Sequence, residues 1–250
     1  MSAPVSPRGT GRLDATGRDE GRLRRVVAHF GPTEWVLLVA FVVLTAAVAT
    51  GFGVQSLDDW AVRTLPWAEA PGGPRPLAHA AHLLVQCASP EISIVVTLGV
   101  AGVWSWSRHD LEPLQRIAPP VLIGGALVVA FKALLHRTGP PSSDPVKLLG
   151  YFPSGHTATA LLCAGALALA AAEGRPRRRA PLLAGAVAWT LAMAAALLYQ
   201  RFHWASDIVG AGLLGLLVLR VTRGFRWPIP TRQPGARLLR PARPSSDGAS

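Results

Sequence analysis

The chain has 250 residues, 50% of them hydrophobic and only 16% charged, with a formal net charge of +11. That hydrophobicity excludes a disordered protein, and a soluble domain would carry charge on roughly a quarter of its residues. The charges crowd into the two ends and a few short loops, leaving uncharged runs at 35–57 and 180–200. Runs of about 18 or more such residues read as membrane-spanning helices. The composition therefore points to an all-α, polytopic integral membrane protein.

In chain order, residues 1–30 are rich in Gly, Arg, Ser and Thr and show no apolar periodicity. They read as a disordered cytoplasmic tail, since a signal peptide needs an apolar core closer to Met1. About six spans are expected between residues 31 and 226, at 34–53, 90–106, 119–136, 155–172, 181–200 and 204–221. The segment 77–89 is too short for a span and reads as an interfacial or re-entrant helix. Residues 227–250, rich in Pro, Arg and Ser, read as a second tail.

Cytoplasmic loops carry an excess of Lys and Arg. Nineteen of the 25 basic residues fall in the N-terminal tail, the second-to-third and fourth-to-fifth connections, and the chain from Arg220 onward. Both termini are thus expected in the cytoplasm and the opposite end of the bundle at the outer face of the plasma membrane. Trp35, Trp104, Trp106, Trp204 and Trp227 fall near span ends, where amphipathic rings sit at headgroup level. The run Arg175-Pro176-Arg177-Arg178-Arg179, between two apolar spans, reads as a topology determinant. No nucleic-acid motif accompanies the basic charge, so no nucleic-acid partner is expected. Cys87 and Cys163 cannot form a disulfide framework or a zinc site by themselves.

Ionisable groups at span ends or within the bilayer are functional candidates by default. Three span ends offer them at the outer face. Lys132, His136 and Arg137 close the third span, Pro153-Ser154-Gly155-His156 opens the fourth, and Arg201, His203 and Asp207 open the sixth. Basic groups, histidines and one carboxylate together suit an anion. Ser154 is a plausible N-cap, and free N–H groups at a helix start bind phosphate oxygens. Gly155 lets an anion approach the backbone closely. His203 and Asp207, four apart, share a helical face, so Asp207 could fix the tautomer of His203 and leave its other nitrogen to attack. His156 could protonate the leaving group. His136 reads equally well as an interfacial side chain, and His79 and His82 as interfacial packing. Asp58, Asp59 and Glu69 read as solvated outer-loop carboxylates.

With these residues the chain resembles the type 2 phosphatidic acid phosphatase family, the lipid phosphate phosphatase and haloperoxidase superfamily. The family signature is K-x6-R-P, then P-S-G-H, then S-R-x5-H-x3-D. Here the middle part is complete at 153–156, the third keeps His203 and Asp207, and the first keeps Lys132 and Pro140. The resemblance implies a metal-independent phosphatase with no cofactor, acting on a lipid phosphate or diphosphate through a phosphohistidine on His203. In it Asp207 orients His203, His156 is the acid, and Lys132, Ser154 and Gly155 hold the phosphoryl oxygens. Implied substrates include phosphatidic acid, diacylglycerol pyrophosphate, phosphatidylglycerol phosphate and polyprenyl diphosphates such as undecaprenyl diphosphate.

Two family arginines are missing, their places taken by Gly139 and Leu197. Arg137 and Arg201 lie close by in sequence and are expected to bind phosphate in their stead. A lipid phosphotransferase and a non-catalytic lipid-phosphate binding protein remain open as alternatives.

Overall fold

A computed structural model describes residues 30–67, 75–141 and 149–223. Most of the two expected tails, together with Glu69, lies outside the described residues. The described residues form eight helices and no strand: α1 (Pro32–Thr50), α2 (Val54–Thr64), α3 (Arg75–Cys87), α4 (Pro90–Arg108), α5 (Glu112–Leu135), α6 (Gly155–Ala171), α7 (Pro176–Tyr199) and α8 (Ala205–Thr222).

The spans expected from the sequence correspond to α1, α4, α5, α6, α7 and α8. Helices α1, α5, α7 and α8 are long and apolar enough to cross a membrane by themselves. Helices α3 and α4 pass that test as a pair, bent by 57° at the break between them, as a broken span or a re-entrant loop is; an interfacial or re-entrant helix was expected for 77–89. Helix α6 has only 17 residues, about 25 Å at 1.5 Å per residue and short of a hydrocarbon core of about 30 Å. Its surroundings explain the shortness. Twelve of its 17 residues are buried, and it packs against α4, α5, α7 and α8. A helix apolar all round belongs in the middle of a bundle.

Two spans begin earlier than the sequence suggested. Pro119 and Pro181, where the expected spans begin, both lie inside helices that start at Glu112 and Pro176. Those helices have their own prolines in the first turn, Pro113 and Pro176.

Close approach along α6 relies on small residues, as is common between helices in lipid. A Cβ on Gly124 of α5 would stand 2.3 Å from Leu162, one on Gly165 would stand 2.7 Å from Leu219, and one on Gly215 would stand 2.7 Å from Leu161. Phe152, fully buried, is the aromatic centre of the core, stacked on Phe41 with ring centroids 6.1 Å apart. Its ring lies directly over Gly210 of α8, where a Cβ would be 2.5 Å away. The outward faces of α1 and α4 expose Val36, Val39, Val42, Val43, Val95, Val96 and Val103, an apolar surface suited to acyl chains. At one end of the bundle Glu34 of α1 accepts a hydrogen bond from Arg220 Nε of α8 at 2.5 Å. The candidate residues gather elsewhere, where α5 and α7 end and α6 and α8 begin.

Candidate active site

Helix α6 starts where Ser154 stops the preceding turn. Ser154 has extended backbone angles and its Oγ accepts the Thr157 N–H at 3.4 Å, as an N-cap does. Its own N–H donates to the Asp207 carbonyl at 3.0 Å. That bond ties the Pro-Ser-Gly-His turn to α8, so two motif residues 53 positions apart are held together through the main chain. Both helices begin here, and helix N-termini favour negative charge.

Lys132, in the last turn of α5, donates from Nζ to the Gly150 carbonyl at 2.8 Å and lies within 3.4 Å of the Tyr151 carbonyl. A Cβ added at Gly155 would lie 3.7 Å from Lys132 Cε, so the lysine stem passes beside the first residue of α6. Gly150 permits the return of the chain to α5. Its N–H meets the Lys132 carbonyl at 3.2 Å, and a Cβ there would stand 2.6 Å from the Arg137 backbone nitrogen.

His203 is buried just ahead of α8, and Asp207 is completely buried in the first turn. His203 Nδ1 lies 3.1 Å from Asp207 Oδ2, which also accepts the Trp204 N–H at 3.2 Å. Tyr151 meets the imidazole edge to face, with centroids 5.5 Å apart. With Nδ1 turned to the carboxylate, Nε2 is the nitrogen left for chemistry. His156 occupies the second position of α6.

Arg137 takes a place the sequence did not disclose. Its Nη1 donates to Asp207 Oδ1 at 2.5 Å and to Ser206 Oγ at 2.7 Å, while Nη2 donates to Asp58 Oδ2 at 2.5 Å. The guanidinium thus stands between two carboxylates. Asp58 corrects the expectation of a solvated loop residue: it is 3% exposed, on α2, and its Oδ1 accepts the Ser206 N–H at 2.9 Å. A buried carboxylate must be paired, and Arg137 and Ser206 do that. Asp58 was missed because its partners lie far away in sequence. The only local signal is an acid inside an otherwise amphipathic helix. Asp59, its neighbour, is exposed and within 3.8 Å of Arg63, as expected of a solvated residue.

Arg201 donates from Nη2 to the Val62 carbonyl at 2.7 Å and stacks over Trp67, 4.0 Å from the ring centroid. It lines a small cavity with His203, Pro140, Ala61 and Val62. Its backbone is left-handed (φ 52°), with Phe202 N–H bonding to Leu197 O and Arg201 N–H to Leu198 O. These bonds form the Schellman closure of α7, at whose left-handed position glycine is usual. Leu197, in the place of a family arginine, is fully buried with Met193 and Ala196. His136 is exposed and left-handed at the end of α5. His79 and His82 bond within α3, to the Arg75 carbonyl and Gln86. Among the described residues, no group of three or more His, Cys, Asp or Glu could hold a metal ion.

The family model described as PAP2 superfamily matches residues 121–229, the stretch that holds every motif residue named above. That match spans 109 of the chain's 250 residues, so the likeness to the PAP2 superfamily is one of the segment that carries the motifs. Among solved structures, the crystal structure of the first transmembrane PAP2 type phosphatidylglycerolphosphate phosphatase from Bacillus subtilis superposes with a TM-score of 0.63 at 17% identity, covering 76% of this chain and 94% of that one. That likeness is one of fold. No curated protein matches the chain.

Proposed function

We propose that the protein is a membrane lipid phosphatase that hydrolyses a lipid phosphate monoester or diphosphate through a phosphohistidine on His203. The observation that carries this reading is the buried His203–Asp207 pair, 3.1 Å apart. A proton on Nδ1, donated to Asp207, leaves the Nε2 lone pair to attack phosphorus. The N–P bond forms as the P–O bond to the leaving alcohol or phosphate breaks, and His156 gives its proton to the leaving oxygen. Water then attacks the phosphohistidine, His156 takes its proton, the N–P bond breaks and inorganic phosphate departs.

Lys132, Ser154, the Gly155 amide and Arg201 are assigned to the phosphoryl oxygens, where preorganised donors stabilise the charge of the transition state. Arg137 was expected beside them. Because both its terminal nitrogens are directed at Asp58, Ser206 and Asp207, we assign it instead to holding Asp207 in position. Membrane orientation follows the arginine distribution, with both termini cytoplasmic and the site at the outer headgroup level. The Bacillus subtilis neighbour is a phosphatidylglycerolphosphate phosphatase, and a lipid phosphate of that kind is a candidate substrate here.

The test is phosphate release by detergent-purified protein in EDTA, over a panel of lipid mono- and diphosphates, beside His203→Ala. Release that vanishes in the variant is expected. The burial of Leu197 in place of an arginine favours one rival, a non-catalytic lipid-phosphate binder. That reading requires lipid binding without turnover in the parent protein.

A further inference from the structure

Helix α6 is buried along most of its length, but Ala164, Leu167 and Ala171 are only half-buried and share one of its faces. They line an apolar groove of about 300 Å³ between α4 and α7, with Trp104 on one wall and Leu182 and Gly185 on the other. Between Ala164 and Ala171 the helix rises about 10 Å, within a hydrocarbon core about 30 Å thick. The groove lies away from His203. Helices α4 and α6 begin side by side, since a Cβ on Gly155 would stand 3.4 Å from Pro90 Cγ. Trp104 and Ala171 lie toward the far ends of those two helices.

Two guanidinium groups are set against residues of the groove at that far end. Arg108, in the last turn of α4, stacks over the Trp104 ring, 5.3 Å from its centroid. Arg175, just ahead of α7, reaches from Nη1 to the Ala171 carbonyl at 3.4 Å. Both are exposed, and neither makes an ion pair among the described residues. The carboxylates next to them in sequence are engaged elsewhere. Asp110 accepts the Glu112 N–H at 3.0 Å, and Glu173 pairs with Arg116 at 2.9 Å. Arg177, Arg178 and Arg179 follow in the first turn of α7, which holds no acid and where the helix dipole disfavours cations. The negative charge this end lacks must come from outside the chain. An apolar helix of a second copy would fit the groove but bring no such charge. An amphiphile with an anionic head supplies both parts, because a guanidinium stacked on an aromatic face still offers its N–H edge to a phosphate.

We propose that this groove binds a phospholipid with an anionic phosphodiester head, one acyl chain lying along α6 and the phosphate held by Arg108 and Arg175. By the arginine distribution this end meets the cytoplasmic leaflet, whose surface is negative. The site is separate from that beside His203 and does not rest on the phosphatase reading. It is tested by native mass spectrometry of the detergent-purified full chain, titrated with phosphatidylmethanol or with phosphatidylcholine of the same acyl chains. Phosphatidylmethanol is expected to bind roughly tenfold or more tighter, because each arginine near a phosphate contributes roughly fivefold. Arg108→Gln and Arg175→Gln are each expected to lose about fivefold in affinity for phosphatidylmethanol and to leave phosphatidylcholine unchanged. Gly185→Leu, at an exposed lining position where an added Cβ meets nothing within 4 Å, is expected to narrow the groove and weaken both lipids. Equal affinity for the two lipids, a preference that survives both arginine variants, or undiminished binding in Gly185→Leu would overturn the proposal. Binding lost in Lys132→Ala but kept in Arg108→Gln would overturn it too, by placing the lipid at the other end. A dimer that binds neither lipid and becomes monomeric in Gly185→Leu would give the groove to a second copy instead.

Discussion

Asp58 and Ser206, 148 positions apart, are joined twice: Asp58 Oδ1 accepts the Ser206 N–H at 2.9 Å, and the carboxylate also accepts the Ser206 hydroxyl. Ser206 Oγ in turn accepts from Arg137 Nη1, which reaches on to Asp207. Asp58, Arg137 and Asp207 alternate in charge, and Asp207 in turn meets the imidazole of His203, the proposed nucleophile. Helix α2, far upstream of the family match, is thereby part of the site's support.

Removing the outermost member tests that support. Asp58→Ala leaves the part-buried Arg137, 14% exposed, with one carboxylate in place of two, at a cost below the roughly 3–5 kcal/mol of breaking a fully buried pair. Asp58→Asn keeps an acceptor for the Ser206 N–H and is expected to lose less. Thermal unfolding in detergent should rank wild type above Asn and Asn above Ala. Both variants are expected to lower kcat, because Arg137 then pulls wholly on Asp207. Unchanged stability in both would mean that the Asp58 contact contributes nothing.

Arg201 is held in a backbone conformation that disfavours any side chain. A left-handed residue other than glycine costs roughly 1–2 kcal/mol, so Arg201→Gly relieves strain at the end of α7 that offsets the loss of the Val62 hydrogen bond and the Trp67 stacking, and little net change in stability is expected. The same change removes a cation from the cavity beside His203 and is expected to cut kcat/KM by tenfold or more. A loss of activity with no matching loss of stability is the expected signature of a residue kept for function. Full activity in Arg201→Gly would remove it from the phosphate site.

Two glycines separate folding from binding. A Cβ on Gly150 would strike the backbone of Arg137 and His136, at 2.6 and 2.8 Å. Backbone cannot yield as a side chain does, so Gly150→Ala should destabilise the protein by about 1–3 kcal/mol and disturb Lys132. A Cβ on Gly155 meets only Pro90 Cγ at 3.4 Å and Lys132 Cε at 3.7 Å, ordinary contacts. Gly155→Ala should fold normally and raise the inhibition constant for inorganic phosphate, since its methyl group stands where an anion approaches the helix start.

Restoring a family arginine is expected to fail here. Leu197→Arg would place a guanidinium in the cluster of Met193, Ala196 and Leu197, where a charge is costly without a partner. Lower thermal stability and no gain in turnover are the expected outcome. A rise in kcat would show that position 197 still faces the phosphate.

The membrane architecture was legible because apolar runs and arginine-rich connections are local properties of the chain. Ser154, His203 and Asp207 were legible because cap and i, i+4 geometries are local as well. Asp58, Ser206 and the contacts of Arg137 with them were not, since each depends on α2 reaching α8 across most of the chain. Composition around Asp58 resembles a solvated loop, and only the fold tells it apart from Asp59 beside it. The expected spans at 119–136 and 181–200 begin inside α5 and α7, because an apolar run marks the lipophilic part of a helix and not the polar turn that precedes it.

The central claim is that His203 carries the phosphoryl group, and it is tested most directly by trapping that species. The protein is mixed with a lipid substrate labelled at the terminal phosphate, denatured within milliseconds, and assayed for protein-bound label that survives alkali and is lost in acid, as a phosphoramidate is. Label at residue 203 in the wild-type chain and none in His203→Ala is the expected result. Phosphate release by the wild-type chain with no such label, or label that persists in His203→Ala, would contradict it.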